Sequence, residues 1–138
     1  MATEKAKKKA KLRHAEYYDF QKVQDKLFMD SANGKTFKHL VEIIAMSENI
    51  RLAYRNLKRN SGSRTPGTDG KTILALARLT DEELIAKVQN KLKWYVPQSV
   101  RRVEIPKGND SSKTRPLGIP TIMDRLIQQC VLQVLEPI

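Results

Sequence analysis

Apolar residues recur at three- and four-residue spacing along most of this chain, and switch to a spacing of two in one place, Val100 to Ile105. Side chains share a helix face every 3.6 residues and a strand face every two, so the pattern dictates helices around one short strand region. Phe20, Val23 and Leu27 share one face until Asn33-Gly34 breaks the run. Phe37, Leu40, Val41 and Ile44 define a second helix, which places N-terminal helices over 16–46. A third opens at Ser47 as N-cap, with Glu48 in its first turn and a stripe of Ile50, Ala53, Tyr54 and Leu57. A fourth starts at Thr80 with Glu83 three residues on, a capping box, and buries Leu84, Ile85, Val88 and Leu92. A fifth starts at Thr121 with Asp124 in the same relation, and carries Ile122, Leu126, Ile127, Cys130, Val131 and Val134. One hairpin and a few helices are a thin partner set for that last face, so the chain is expected to leave it partly unburied and reads as unfinished.

The period-two segment puts Arg101, Val103 and Ile105 on one face and Val100, Arg102 and Glu104 on the other. Residues 107–114 are polar and hold Gly108-Asn109-Asp110, which predicts a turn, and Arg115 to Pro120 returns as an irregular strand punctuated by prolines. A second Gly-, Pro- and Ser-rich stretch, 60–71, ends in Asp-Gly-Lys and is expected to be a mobile loop.

Charge is unevenly placed. The chain has 138 residues with 26 Lys+Arg against 15 Asp+Glu, a net charge of +11. Such a field suits a polyanion, and nucleic acid, acidic protein and anionic membrane all remain open on charge alone. Residues 1–15 form a basic tail expected to be disordered, with Lys5, Lys7, Lys8, Lys9, Lys11 and Arg13 against Glu4. On the third helix, with Ile50 at zero, the apolar stripe lies at roughly 300° through 40° and Arg51, Arg55, Lys58 and Arg59 at roughly 80° to 180°. Four positive charges without an interleaved acid mark a candidate phosphate-contacting face. Arg64 and Lys71 in the following loop extend it. Residues 91–115 hold seven basic side chains, Lys91, Lys93, Arg101, Arg102, Lys107, Lys113 and Arg115, against Glu104 and Asp110. Lys107 and Arg115 flank one turn, where a compact ammonium and a planar guanidinium could grip a triphosphate or a strand backbone together. Trp94 and Tyr95, just before, are expected to anchor the helix end.

Several classes are excluded or disfavoured. The longest apolar runs fall far short of the roughly 20 residues of a membrane span, and no apolar core follows the N-terminal lysines as a signal peptide requires. The single cysteine, Cys130, cannot form an internal disulfide and sits in the apolar pattern, which makes it core and fits a reducing compartment. His14 and His39 are isolated, so a zinc site is not expected. Asp69 and Asp124 suit a turn and a helix cap. No self-contained active site converges.

The string Tyr95-Val-Pro-Gln-Ser-Val-Arg-Arg-Val-Glu-Ile-Pro-Lys107, then Arg115-Pro-Leu-Gly-Ile-Pro-Thr121, Asp124-Arg125 and Gln128-Gln129, closely resembles the first fingers block of group II intron-encoded reverse transcriptase/maturases. The segment from Val131 to Ile138 resembles the run-in to the next block. The third helix with Thr65-Pro-Gly-Thr-Asp-Gly70 resembles their N-terminal extension. The resemblance covers roughly residues 47–138. It implies a mainly α chain with one β-hairpin, the fingers and N-terminal extension of a right-hand polymerase: an extension block over 47–94 and the fingers hairpin and following helix over 95–138. It implies that Lys107 and Arg115 hold the triphosphate of an incoming dNTP and that Pro116, Leu117 and Gly118 lie near the templating base. It further implies that Arg51, Arg55, Lys58, Arg59, Arg64, Lys71, Arg101, Arg102 and Lys113 face template or intron RNA. Partners would then be group II intron RNA, an RNA template with its DNA primer, and the palm of the same polypeptide, in a bacterial cytoplasm. The Tyr-Ala-Asp-Asp palm motif, whose aspartates would hold Mg2+, does not occur in this sequence, so the chain alone is expected to be catalytically inactive. Two other readings stand beside it, a free-standing basic RNA-binding module and a homodimer formed through the apolar face of residues 122–135.

Overall fold

The computed structural model describes residues 19 to 138, so the basic tail at 1–15 lies outside the described residues. Among the described residues the chain is mainly helical with one antiparallel hairpin. In order come α1 (Gln21–Ala32), α2 (Leu40–Ile44), α3 (Ser47–Arg59), α4 (Ile73–Ala77), α5 (Asp81–Lys93), β1 (Arg101–Lys107), β2 (Asp110–Ile119) and α6 (Ile122–Leu135).

The helical stripes bury as their spacing requires except in the second helix, where Val41, expected on the buried face, is exposed. Phe20, Leu27, Ile44, Ile50, Ala53, Leu57, Leu84 and Val88 are all core. On α6, Ile122, Leu126, Ile127, Cys130 and Val134 are buried too. The apolar face expected to lack partners is therefore covered within the chain, because α6 packs on α1, α2 and α3 at once. Leu132, Leu135 and Ile138 remain exposed at its far side. Burial pushes the Cys130 thiol up to about 12, as suits a small core residue and not a nucleophile.

α3 is the centre of the fold, lying along α6 and also against α5. It buries more than its apolar stripe: Leu52 and Asn49 fall outside that stripe and are buried as well. Asn49 is tolerated there because every amide finds a partner. Its Nδ2 donates to the Ile44 carbonyl at 2.9 Å and to the Cys130 carbonyl at 3.1 Å. Gln133 Nε2 donates to Asn49 Oδ1 at 2.8 Å, and Gln133 Oε1 accepts from Asn56 Nδ2 at 2.9 Å. A buried amide left unpaired would cost on the order of 1–3 kcal/mol, so this network fixes how α3 and α6 register on each other.

Local signals fared unevenly. Thr80 Oγ1 accepts from the Glu83 amide and Thr121 Oγ1 from the Asp124 amide, the two caps that the sequence predicts. Ser47 is not the cap of α3: it is the first helical residue, and Met46 occupies the cap position without a side-chain bond. The second helix is only five residues long and leaves Phe37 outside it, because His39 takes a left-handed conformation (φ 62°) immediately before Leu40. Helix α4 lies in a stretch assigned to no element, capped by Thr72 Oγ1 accepting from the Leu74 amide at 3.4 Å.

Candidate nucleic-acid and nucleotide interface

The hairpin is longer and its turn tighter than the composition of 107–114 implies. β1 and β2 pair from Arg101 opposite Ile119 to Ile105 opposite Arg115, and a register irregularity after Pro106 brings Lys107 opposite Asp110. The turn shrinks to Gly108-Asn109, with Gly108 at φ 60° in the first central position, where a II′-type turn requires positive φ. The polar run misled because polar residues on a solvent-exposed strand look like a turn. The same register sets Arg115 opposite Ile105, and Lys107 two residues further along β1 across the irregularity, so both cations lie on the outer half of one arm.

That arm is exposed. Arg102, Glu104, Pro106, Lys107 and residues 112 to 118 are all exposed, while Arg101, Val103 and Ile105 are half-buried on the other face. Pro116 pairs with Glu104, Leu117 with Val103 and Gly118 with Arg102. A Cβ at Gly118 would meet a Val100 methyl at 3.0 Å, so the absence of a side chain there serves the outer face of the hairpin itself. Arg102 pairs with Glu104 at 3.2 Å in solvent, an ion pair worth little.

The hairpin is tied down at its base by the loop 60–71, which is held in place where mobility was expected. Arg101 Nε donates to the Pro66 carbonyl at 2.9 Å and Thr68 Oγ1 to the Ser99 carbonyl at 2.9 Å. Arg125, in the first turns of α6, donates from Nη1 to the Gly62 carbonyl at 2.8 Å and from Nη2 to the Thr65 carbonyl. Burial lowers the Arg125 guanidinium from its ordinary value, and the Asp69 carboxylate opposes that shift. Gly67 lies against α6's start so closely that a Cβ would come within 2.8 Å of the Pro120 and Thr121 backbone. Arg101 thus acts as a strut between hairpin and loop, a role its expected contact with template did not include.

Arg125 is the residue that reading for sites missed. Its signal is electrostatic: a cation near the N-terminus of a helix opposes the helix dipole and needs a reason to be there. The two carbonyls supply it.

The remaining candidates fall on two surfaces. On α3, Arg51 Nε pairs with Asp81 Oδ2 at 2.9 Å, so the compensating acid missing from its own helix comes from α5. Lys58 and Arg59 are exposed at the C-terminal end of α3, Arg55 is half-buried, and Arg64 continues the basic surface into the 3-10 turn Ser61–Arg64. Lys71 and Lys113 are exposed. Of the two aromatics before the hairpin, Tyr95 is the anchor: its hydroxyl donates to Asp124 Oδ1 at 2.9 Å, and Asp124 Oδ2 accepts from the Gln98 amide at 2.9 Å. Burial, then that hydrogen bond, pushes the Tyr95 phenol up to about 12. Trp94 anchors nothing and is 85% exposed. Asp69 keeps the turn role expected of it, Oδ1 accepting from the Lys71 amide at 3.0 Å, whereas the Asp124 carboxylate, expected to cap its helix, instead holds Tyr95 and the Gln98 amide. Among the described residues no group of three or more His, Cys, Asp or Glu is placed to hold a metal ion, and no helix is long and apolar enough to cross a membrane.

The described residues form a basic, exposed hairpin carried on a helical body, and comparison with known proteins finds relatives of one kind. The chain is 41% identical over 106 residues to the group II intron-encoded protein LtrA of Lactococcus lactis, covering 75% of this chain and 17% of that one. It is 41% identical over 103 residues to protein YkfC of Escherichia coli, covering 73% and 26% respectively. It is 29% identical over 120 residues to the putative COX1/OXI3 intron 1 protein of Saccharomyces cerevisiae, covering 83% and 13%. No family model matches the chain. The chain belongs to the group II intron-encoded proteins, the reverse transcriptase/maturase family that its hairpin string resembles, and spans about a quarter or less of the length of these curated relatives.

Proposed function

We propose that this chain is the fingers and N-terminal extension of a group II intron reverse transcriptase/maturase, where it holds intron RNA, template and incoming nucleotide for splicing and retrohoming. The observation that carries the reading is the hairpin: it bears the family's string, stands out from the body, and places Lys107 and Arg115 in solvent on opposite strands of its outer half. An ammonium and a guanidinium so placed provide a point charge and a planar fork for a triphosphate. Leu117 and Pro116 on β2 offer an apolar edge for the templating base, and Arg102 and Lys113 its backbone. Arg55, Lys58, Arg59 and Arg64 form the surface for intron RNA, with Arg51 and Lys71 at its margins. Polymerisation belongs to the parent enzyme, an RNA-directed DNA polymerase in a bacterial cytoplasm. Its Mg2+ would be held by palm aspartates of that parent enzyme.

The test is binding of the 138-residue chain to a group II intron RNA against a scrambled RNA of equal length at two salt concentrations. Phosphate contacts alone weaken steeply with salt and hardly distinguish the two RNAs. Preference for the intron RNA that persists at the higher salt supports a maturase surface. Equal, salt-labile binding contradicts it.

A further inference from the structure

A cleft of about 250 Å³ opens between α4, α5 and the start of α6, away from the hairpin tip. Its lining mixes an apolar part, Leu76, Leu79, Ile122 and Met123, which we call its floor, with three lysines, Lys71, Lys87 and Lys91. We propose that this cleft binds one unstacked nucleotide of a single-stranded RNA, with the phosphate on the three lysines and the base on the apolar floor.

The charge argument is specific. Lys87 and Lys91 are four residues apart on α5, where two like charges share a face and disfavour the helix by a few tenths of a kcal/mol. Lys71 converges on them from the end of the loop. Among the described residues none of the three makes an ion pair. The two carboxylates in the lining are already occupied: Asp124 is buried and accepts from Tyr95 and Gln98, and Asp69 accepts from the Lys71 amide. Three lysines against two carboxylates leave the lining with a small positive excess beside its apolar part, which suits a ligand anionic at one end and flat and apolar at the other, the chemistry of a nucleotide. The volume is below the roughly 300 Å³ at which drug-sized pockets begin, which leaves room for one base and little more. A paired, stacked base cannot enter such a cleft, so the strand must be single. RNA is chosen over other polyanions because the proposed function makes it the partner. The cleft itself uses Lys87 and Lys91, which that reading does not assign.

The test uses the full chain and a fluorescent eight-residue oligouridylate. Lys87→Ala with Lys91→Ala should weaken binding by about 10-fold at low salt and flatten the salt dependence, since two phosphate contacts are lost. Lys87→Arg with Lys91→Arg should restore it, and thermal unfolding should change little because Lys87 is exposed and Lys91 only half-buried on α5. An equal loss of charge at the exposed Lys22 and Lys38 should do much less. An abasic oligomer of the same length should bind several-fold more weakly than oligouridylate. Three results would each overturn the proposal: equal loss from either pair of substitutions, equal binding of the abasic strand, or displacement of the oligomer by a polyglutamate peptide as effectively as by unlabelled RNA. Loss of intron preference in the earlier experiment, with the cleft dependence intact, would contradict the maturase reading and leave the cleft standing.

Discussion

In the helical body, Asn49 and Gln133 are buried and every polar group they offer is taken up by another part of the same chain. In the hairpin arm, Arg102, Lys107, Lys113 and Arg115 lie in solvent on a two-stranded ribbon that touches the body at its base. Both regions are rich in polar residues, so composition does not separate them. What separates them is where the hydrogen bonds go. In the body they close on themselves and define one packing of α3 on α6. In the arm Arg102 makes a local pair with Glu104 on the same strand, and an isolated two-stranded ribbon gains little stability of its own.

The largest effect should come from the body. Gln133→Ala removes the donor to the buried Asn49 side-chain and backbone oxygens and opens a cavity between α3 and α6, which should lower unfolding free energy by about 3 kcal/mol in urea titrations. A loss below ~1 kcal/mol would mean the network is incidental to packing. Next is the joint between the regions. Arg125→Ala breaks two charge-assisted bonds to the loop and should cost about 2 kcal/mol, with proteolysis newly admitted between residues 60 and 71. The arm should behave in the opposite way. Lys107→Ala with Arg115→Ala should leave unfolding within ~0.5 kcal/mol while reducing the salt slope of RNA or dNTP binding by about two. The smallest effect is spectroscopic: Tyr95→Phe should remove from an alkaline absorbance titration the phenol that ionises at about 12. The folded-state value lies above the ordinary 10.0, so between those two pH values the folded form holds more protons and Tyr95 makes stability fall as pH rises.

Much of this was legible before any coordinates. Period and caps located four of the longer helices and the hairpin, because Thr80 and Thr121 are local devices that act within three residues. What escaped was non-local. Asn49 is unremarkable until Gln133, 84 residues away, is brought against it. Arg51 looked uncompensated because its acid, Asp81, is 30 residues distant. The loop 60–71 looked mobile from its glycines and proline, yet Gly67 is glycine because the backbone at Thr121 approaches it, a close contact that composition cannot distinguish from flexibility. Trp94 and Tyr95 are neighbours, and only the geometry of Asp124 chooses between them.

Hydrogen exchange of the full chain, with and without group II intron RNA, tests the division between body and arm most directly. The account predicts that α6 and the buried face of α3 are already protected in the absence of RNA, and that RNA adds protection at 58–71 and 101–118. Protection gained mainly in α6, with the hairpin unchanged, would contradict it.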